Sequence, residues 1–398
     1  MHIIADFHMH GKYSRATSKD LVFENIEKYA RLKGLSLVGT GDFTHPKWKE
    51  EIGTKLEQKK TSGIYYTKTG FPFLLQTEIS LIYTQNGKGR RIHNLVLAPS
   101  LDVVDQITEA LKKRGRVDYD GRPIFKIPCP EFVEMMRSIS QDIEVIPAHA
   151  WTPHFGVLGS GSGFDSLKEC FEDQEKHIHA IETGISSTPA MNWRIPELDN
   201  RTIVSFSDSH SYWPWRMGRE ATIFELKELT YKAILQSIRN NEITATIETD
   251  PAYGKYHADG HRACDIRFEP QESKNHHDIC PKCKKKLTIG VLHRIEQLAQ
   301  REEGYTPKNA KPFSTLLPLH EVIAHVVKKR LGTLAVQQEA DKLLQLGSEL
   351  DVLLYTPLND IEKATSPRIT KAIAANRIGQ VTMLPGYDGV YGTPVFHE

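Results

Sequence analysis

Apolar positions at the start of the chain are continuous, Ile3-Ile4-Ala5-Asp6-Phe7, and predict a buried strand from Ile3 to Phe7. A helix is expected next, from about Lys19 to Lys33, with Ser18 as cap and Gly34 as stop. Leu21, Ile26, Tyr29 and Ala30 form its apolar face. Leu35 to Thr40 then predicts a second strand, completing a βαβ unit whose following loop is Gly41 to Pro46. Phe71 to Thr84 and Arg91 to Ala98 are apolar and β-rich, and Asn86-Gly87-Lys88-Gly89 between them reads as a hairpin turn. Further strands are expected at Ile143 to His149, His179 to Thr183 and Thr202 to Ser207. Phe155 to Phe164, punctuated by Gly156, Gly159, Gly161 and Gly163, fits neither period and predicts a mobile loop. From Gly290 the pattern turns helical: Val291 to Gln300, Leu319 to Leu331, Val336 to Gly347 and Pro367 to Asn376. Gly379 to Phe396 predicts turns or a short hairpin.

Side chains with metal-ligand chemistry interrupt this pattern where strands end. His8 and His10 follow the first strand, and residues two apart share a face, so both imidazoles can be aimed at one point. A pair of neutral imidazoles suits Zn²⁺ or a similar borderline metal. Asp42 and His45 follow the second strand. Glu78 and His93 sit within the two paired β segments, and His149, Asp208 and His210 stand at later strand ends. In α/β barrels the C-terminal strand ends make one face, where residues distant in sequence meet. A nitrogen-and-oxygen set of this size exceeds what one tetrahedral zinc takes. It predicts two or three metals bridged by carboxylates, Zn²⁺ with Mg²⁺ or Mn²⁺ in some sites.

A second constellation lies later. His261-Arg262-Ala263-Cys264 and Cys280-Pro281-Lys282-Cys283 are knuckles at zinc-ribbon spacing, so His261, Cys264, Cys280 and Cys283 are expected to hold one structural Zn²⁺. His276 or His277 is an alternative fourth ligand. Such a site supplies the folding energy of a small module without a core.

Composition narrows the class. With 398 residues there is room for two or three domains, and one of about 250 residues suits a barrel. The net charge of +1 excludes a global basic field, so any nucleic-acid surface must be local. Lys328-Lys329-Arg330, and Lys371 with Arg377, supply such local charge, or else a solvated helix face. No apolar run approaches the roughly 20 residues of a membrane span, and Met1 leads straight into a strand rather than a signal peptide. Five cysteines, an odd number, argue for a reduced, cytoplasmic setting.

The ligand series resembles that of the polymerase and histidinol phosphatase (PHP) family of metal-dependent phosphoesterases. The matching residues are His8-Met9-His10, Asp42, Glu78, His93, His149 and Asp208-Ser209-His210. Two positions depart from the family pattern. Arg15 and Ala16 stand where many members carry a further ligand, and Phe43 replaces the histidine after Asp42, leaving either Asp42 or His45 as the ligand there. The resemblance implies a PHP-type distorted (β/α)7 barrel over residues 1–250, a zinc-ribbon module over 251–292 and a helical, DNA-binding C-terminal domain over 293–398.

That order of parts, with Tyr13-Ser14-Arg15-Ala16, His149-Ala150-Trp151-Thr152-Pro153 and Gly163-Phe164-Asp165-Ser166-Leu167, is similar to the DNA-repair endonuclease branch of the family. It implies cleavage 5′ to deaminated bases (uracil, hypoxanthine, xanthine) and abasic sites in DNA. Asp208, Glu78, His149 and Arg15 are then the expected catalytic residues, Arg15 meeting a phosphate. Trp151 and Phe155 are expected to line the pocket for an extruded base. Gln380 to Leu384 resembles a sliding-clamp-binding peptide. Two other readings are a phosphatase of a small phosphomonoester and a non-catalytic nucleic-acid-binding protein.

Overall fold

In the computed structural model, which describes residues 1–59 and 61–396, the opening apolar stretch forms the strand His2–Asp6 inside an eight-stranded mixed sheet. It pairs in parallel with Leu37–Gly39, which pairs in parallel with Pro72–Leu74. The hairpin Gln76–Gln85/Lys88–Leu97 follows, with Glu144–Pro147 antiparallel to its second strand. The parallel pair Ala180–Glu182 and Thr202–Val204 completes the ring. Single backbone bonds bridge the gaps between these sheets: Ala150 N–H donates to the Glu182 carbonyl (2.9 Å) and Ser209 N–H to His8 (3.0 Å). The result is the expected distorted α/β barrel.

Period-two alternation decides what fills it. Ile3, Ala5 and Phe7 point inward, where they meet Leu37, Leu74, Leu95, Ile146, Val204 and Phe206 in one buried cluster. Ile4, Val38 and Phe73 point outward and pack with Ile26 and Ala30 of the covering helix. Ala221–Glu225 and Ala245–Glu248, which carry no clear periodicity in the sequence, extend the main sheet beyond His2–Asp6. Phe313–Thr315 adds a parallel edge strand to it.

Several elements differ from expectation for local reasons. The first helix begins at Phe23, not Lys19, because Ser18 closes a turn instead: Leu21 N–H donates to its carbonyl (3.1 Å) and Asp20 N–H to its hydroxyl (3.2 Å). Gly34 does end it, at φ 98°. The hairpin turn contracts to Asn86-Gly87, both at positive φ, so Lys88 and Gly89 belong to the strand. The helix from Leu319 stops at Val326, and Lys328 lies at φ 54°. Phe155 to Phe164 is irregular but tightly packed, with Val157, Leu158 and Phe164 buried. A Cβ on Gly159 would fall 2.0 Å from the Thr152 carbonyl oxygen, so its glycines serve close approach rather than mobility.

The ribbon strands Asp259–His261 and Ile266–Phe268 pair antiparallel. The C-terminal segment straps their base: Ala258 N–H donates to the Gly386 carbonyl (3.0 Å), and Asp388 accepts from Arg262 N–H (2.6 Å) and from the Thr288 hydroxyl (2.7 Å). Gln380 to Leu384, the clamp-like segment, contributes the strand Thr382–Leu384, paired with Thr393–Val395. No helix among the described residues is long and apolar enough to cross a membrane.

One buried ion pair ties the first helix to the helical tail. Lys33 donates to Glu349 (2.6 Å) and to the Pro214 carbonyl (2.9 Å), both side chains being 1% exposed. Burial alone would raise the Glu349 carboxyl, but Lys33 and His320 beside it bring it from 4.5 down to about 2. Such a depressed acid contributes stability above its unfolded value that is lost as pH falls. Glu349→Gln is therefore expected to destabilise the fold by about 3–5 kcal/mol near neutrality. Its deficit relative to the parent should shrink as pH drops from 4.5 towards 2, checked by chemical denaturation at a series of pH values.

Candidate metal centre

Glu78 is fully buried at the mouth of the barrel, and four histidines crowd its two oxygens. The hairpin register explains part of this. Ser80 lies opposite His93, so Glu78, two residues earlier, shares their face and its Oε1 reaches His93 Nδ1 at 2.7 Å. The same oxygen lies 3.3 Å from His149 Nε2. Glu78 Oε2 lies 3.4 Å from His10 Nε2 and 3.6 Å from His8 Nε2, and Arg122 Nη1 donates to it at 3.1 Å. Asp208 Oδ1 approaches His10 Nε2 (3.0 Å) and His8 Nε2 (3.4 Å). Two groups of ligand atoms therefore converge, His8, His10, Glu78 and Asp208 on one side and Glu78, His93 and His149 on the other. Glu78 is common to both.

Three of the four rings are anchored from behind. His8 Nδ1 contacts both Glu182 oxygens (2.9 and 3.1 Å), His10 Nδ1 contacts Asp42 Oδ1 (3.0 Å) and His149 Nδ1 contacts the Thr152 hydroxyl (2.9 Å). With its outer nitrogen engaged, each ring presents Nε2 to the centre, the arrangement in which a carboxylate or hydroxyl orients a metal-binding histidine. His8 Nε2 is buried without a hydrogen-bond partner, as fits an atom whose partner is a cation.

Asp42, Asp208 and His149 all have positive φ (41°, 48° and 32°), which turns the chain back into the mouth directly after a strand. Burial would push the Glu78 carboxyl up, yet His93, Arg122 and His8 outweigh it and hold it well below the usual range. Burial brings His93 down to about 4, despite Glu78 beside it. Burial also opposes a charge on His8, but Glu182, Asp208 and Glu78 more than compensate and raise it.

The centre opens onto a cavity of about 530 Å³. Arg91, Arg122, Arg219 and Lys255 line it with positive charge, and Phe155, Tyr256 and Tyr391 line it with aromatic surface.

Comparison with known proteins adds to this geometry. The crystal structure of the lesion-specific endonuclease PfuEndoQ from Pyrococcus furiosus is 32% identical, with a TM-score of 0.88, over 99% of this chain and 95% of that one. The chain belongs to the endonuclease Q family. A structure of endonuclease Q in complex with a 27-mer duplex carrying an abasic lesion at the active site is also 32% identical, with a TM-score of 0.90, over 100% and 97%. The family model described as the MJ0043 C-terminal domain matches residues 318–380. The uncharacterized protein MJ0043 of Methanocaldococcus jannaschii is 33% identical over 235 residues, 58% of this chain but 29% of that protein. This chain thus spans less than a third of that relative's length.

Within this endonuclease Q fold, the remaining candidates fall in different places. Asp42 is brought behind the centre rather than into it, since its Oδ2 accepts from Gly11 N–H (2.5 Å) and the Ser14 hydroxyl (2.8 Å) while Oδ1 faces His10. His45 stacks on Tyr13, ring centroids 4.7 Å apart, and is outside both ligand groups. The His210 ring lies 4.4 Å from that of His10, with Nδ1 3.5 Å from Asp208. Arg15 is 74% exposed and paired with Asp120 at 3.3 Å, away from the cavity lining. Phe155 does line the cavity and packs 4.3 Å from the His93 ring. Trp151 does not: it is fully buried, donating to Asn192 Oδ1 (2.7 Å), because the turn after the strand Glu144–Pro147 points it into the core. His261, Cys264, Cys280 and Cys283 come together as a second ligand cluster. His276 instead stacks on Phe268, and His277 is exposed.

Sequence reading missed Glu182 and Arg122. Glu182 lies next to the end of the predicted strand His179 to Thr183 and ends the observed one, a placement like that of the other strand-end candidates, and that signal was present. Arg122 lies in the loop Asp120-Gly121-Arg122-Pro123, where no periodicity marks it. Glu182→Gln is expected to weaken metal affinity by about 10–100-fold, as loss of a ligand-orienting partner does. Asp208→Asn should remove metal outright. Titration calorimetry with Zn²⁺ or Mn²⁺ on the metal-stripped protein checks both. Cys280→Ser should lower the bound zinc by one equivalent and loosen the segment around the ribbon, read by metal analysis and limited proteolysis.

Proposed function

We propose that this protein is a metal-dependent DNA-repair endonuclease that hydrolyses the phosphodiester 5′ to deaminated bases (uracil, hypoxanthine, xanthine) and abasic sites. The observation that carries this reading is the shared buried carboxylate of Glu78, set between two ligand groups that open onto a cationic and aromatic cavity. The family membership supports it, since one relative is a lesion-specific endonuclease and another is bound to a duplex with an abasic lesion.

In this reading His8, His10, Glu78 and Asp208 hold one metal and Glu78, His93 and His149 the next, with His210 beside Asp208. Zn²⁺ fits the imidazole-rich set, and Mg²⁺ or Mn²⁺ suits the more carboxylate-rich side. Bound divalent metals supply water activation and charge neutralisation at the phosphorus. The chain's own part is to place the phosphate. Arg122, held against Glu78, and Arg219, whose Nη2 donates to the Ser207 carbonyl (3.1 Å), present guanidinium groups to the cavity. Asp42, Glu182 and Thr152 position the ligating rings. Phe155, Tyr256 and Tyr391 offer faces against which an extruded nucleotide stacks. About 530 Å³ falls within the range of small-molecule pockets and admits one nucleotide. The ribbon cluster, three thiols and one imidazole, suits a structural Zn²⁺.

The test is a labelled strand carrying a single uracil, hypoxanthine or abasic site, alone and in duplex. A nick immediately 5′ to the lesion, with the altered base retained, is expected, and the same strand with normal bases should stay intact. Asp208→Asn and His8→Ala should abolish nicking while leaving duplex binding largely unchanged, because backbone contacts elsewhere supply most affinity. Equal cutting of damaged and normal strands would reduce the activity to a non-specific nuclease. Phosphate release from monoesters without any nicking would make it a phosphatase.

A further inference from the structure

Asp208 and His210 open a segment, Ser211 to Arg219, that reaches the strand Ala221–Glu225 without forming helix or strand. Its two roots meet on one buried carboxylate. Asp6 accepts from Ser207 N–H (3.0 Å), from the Ser207 hydroxyl (2.5 Å) and from Gly218 N–H (2.8 Å). Gly218 stands at φ 63°, where the chain turns back towards the sheet. The barrel itself therefore fixes the roots.

The tip is fixed by the helical tail, at three consecutive residues. The Pro214 carbonyl accepts from Lys33, which is itself held by Glu349. The Trp215 ring lies 5.1 Å from that of His320 and stacks on Trp213 at 4.8 Å. Arg216 Nη1 donates to Glu321 Oε1 at 3.3 Å. His320 and Glu321 belong to the first turn of the helix Leu319–Val326, and Leu319 N–H donates to Glu349 Oε1 (3.1 Å) at its start.

Glu321 is 3% exposed, and its second oxygen has no hydrogen-bond partner among the described residues. Burial pushes its carboxyl up, and Arg216 beside it offsets only part of that. An apolar side chain would dock this helix at lower cost. It could not hold one chosen side chain of the segment at one chosen point, which a charged pair does. Tyr253 stands beside the same carboxylate, and its ring lies 5.7 Å from Tyr391 in the cavity wall. Tail, ligand-bearing segment and cavity wall thus meet at Glu321.

We propose that Glu321, acting through Arg216, is a positioning residue for the metal centre, fixing the segment that presents Asp208 and His210. It rests on the reading of Asp208 as a metal ligand in a nicking enzyme. The two are separable, because metal binding is measured without substrate.

The experiment titrates Mn²⁺ into the metal-stripped full-length protein by calorimetry, Mn²⁺ being chosen because the thiol-rich ribbon cluster favours zinc. Nicking of a uracil-containing strand is followed in parallel. For E321Q the Mn²⁺ affinity is expected to fall about tenfold, the order seen when a group that orients a ligand is lost. Its kcat should fall by about ten- to a hundredfold with KM within about twofold of the parent, since displaced ligands impair the chemical step and not strand binding. R216Q breaks the same contact from the more exposed partner and should match E321Q. The double variant R216Q/E321Q should be no worse than either single, because the two residues act as one unit. R216K, which keeps the charge, should bind Mn²⁺ more tightly than R216Q.

Parent Mn²⁺ affinity and kcat in both single variants, with only the melting temperature lowered, would make the pair a docking contact and overturns the proposal. Additive losses in the double variant overturn it too. If E321Q does not fold, R216Q decides by the same two readouts. Weakened Mn²⁺ binding in variants of a protein that nicks nothing leaves the positioning role standing and removes the assigned activity. Nicking by the parent, with unchanged affinity and kcat in the variants, does the reverse.

Discussion

A carboxylate with no exposure to water is costly unless positive charge surrounds it, and Glu78 is such a group. The barrel mouth is arranged around that constraint. Arg122 supplies one permanent charge at 3.1 Å. The imidazoles of His8, His10, His93 and His149 supply nitrogen atoms around both oxygens, and in the absence of a metal, despite burial, the carboxylates raise His8 and His10 towards the charged form. With Asp208, Glu182 and Asp42 added, four carboxylates stand around the rings against the one guanidinium bonded to Glu78. Divalent cations relieve that imbalance, and the buried, unpartnered Nε2 of His8 marks where one would be bound.

Precision at this centre comes from the layer behind it. Each outer partner removes a rotational choice from a ring, and the two carboxylates among them are themselves locked by backbone donors. Asp42 accepts from Gly11 N–H, and Glu182 accepts from His149 N–H at 2.6 Å. Gly121 belongs to the same shell, since a Cβ there would fall 2.2 Å from Asp42 Oδ2. Positive φ at Asp42, His149 and Asp208 stores strain where strand meets loop, and the surrounding hydrogen bonds hold it in place.

Parts distant in sequence complete the cavity. Tyr256 arrives from the segment that leads into the ribbon and Tyr391 from the C-terminal strap, while Phe155 comes from the glycine-rich loop. The strap is bonded to the ribbon through Asp388 and Gly386, and the tail to the first helix through Lys33 and Glu349. The ribbon and its strap therefore support a wall of the cavity.

Strand-end histidines and carboxylates were legible in the sequence because a strand's period of two and its termination signals are local properties. The same locality exposed the ribbon knuckles, the Gly34 helix stop and the hairpin turn. It failed where the deciding partner was remote. Whether Ser18 capped a helix or closed a turn, and whether Trp151 faced the cavity or Asn192, depended on packing that no window of residues contains. Asp42 and Asp208 look alike in sequence, each standing just after a strand. Only the tertiary structure sends one behind His10 and the other in front of it, because Gly11 N–H and Ser14 had already claimed an oxygen of Asp42. Glu182 and Arg122 took their places by the same rule: a buried charge is positioned by what neutralises it, and that partner is brought near by the fold, not by the chain.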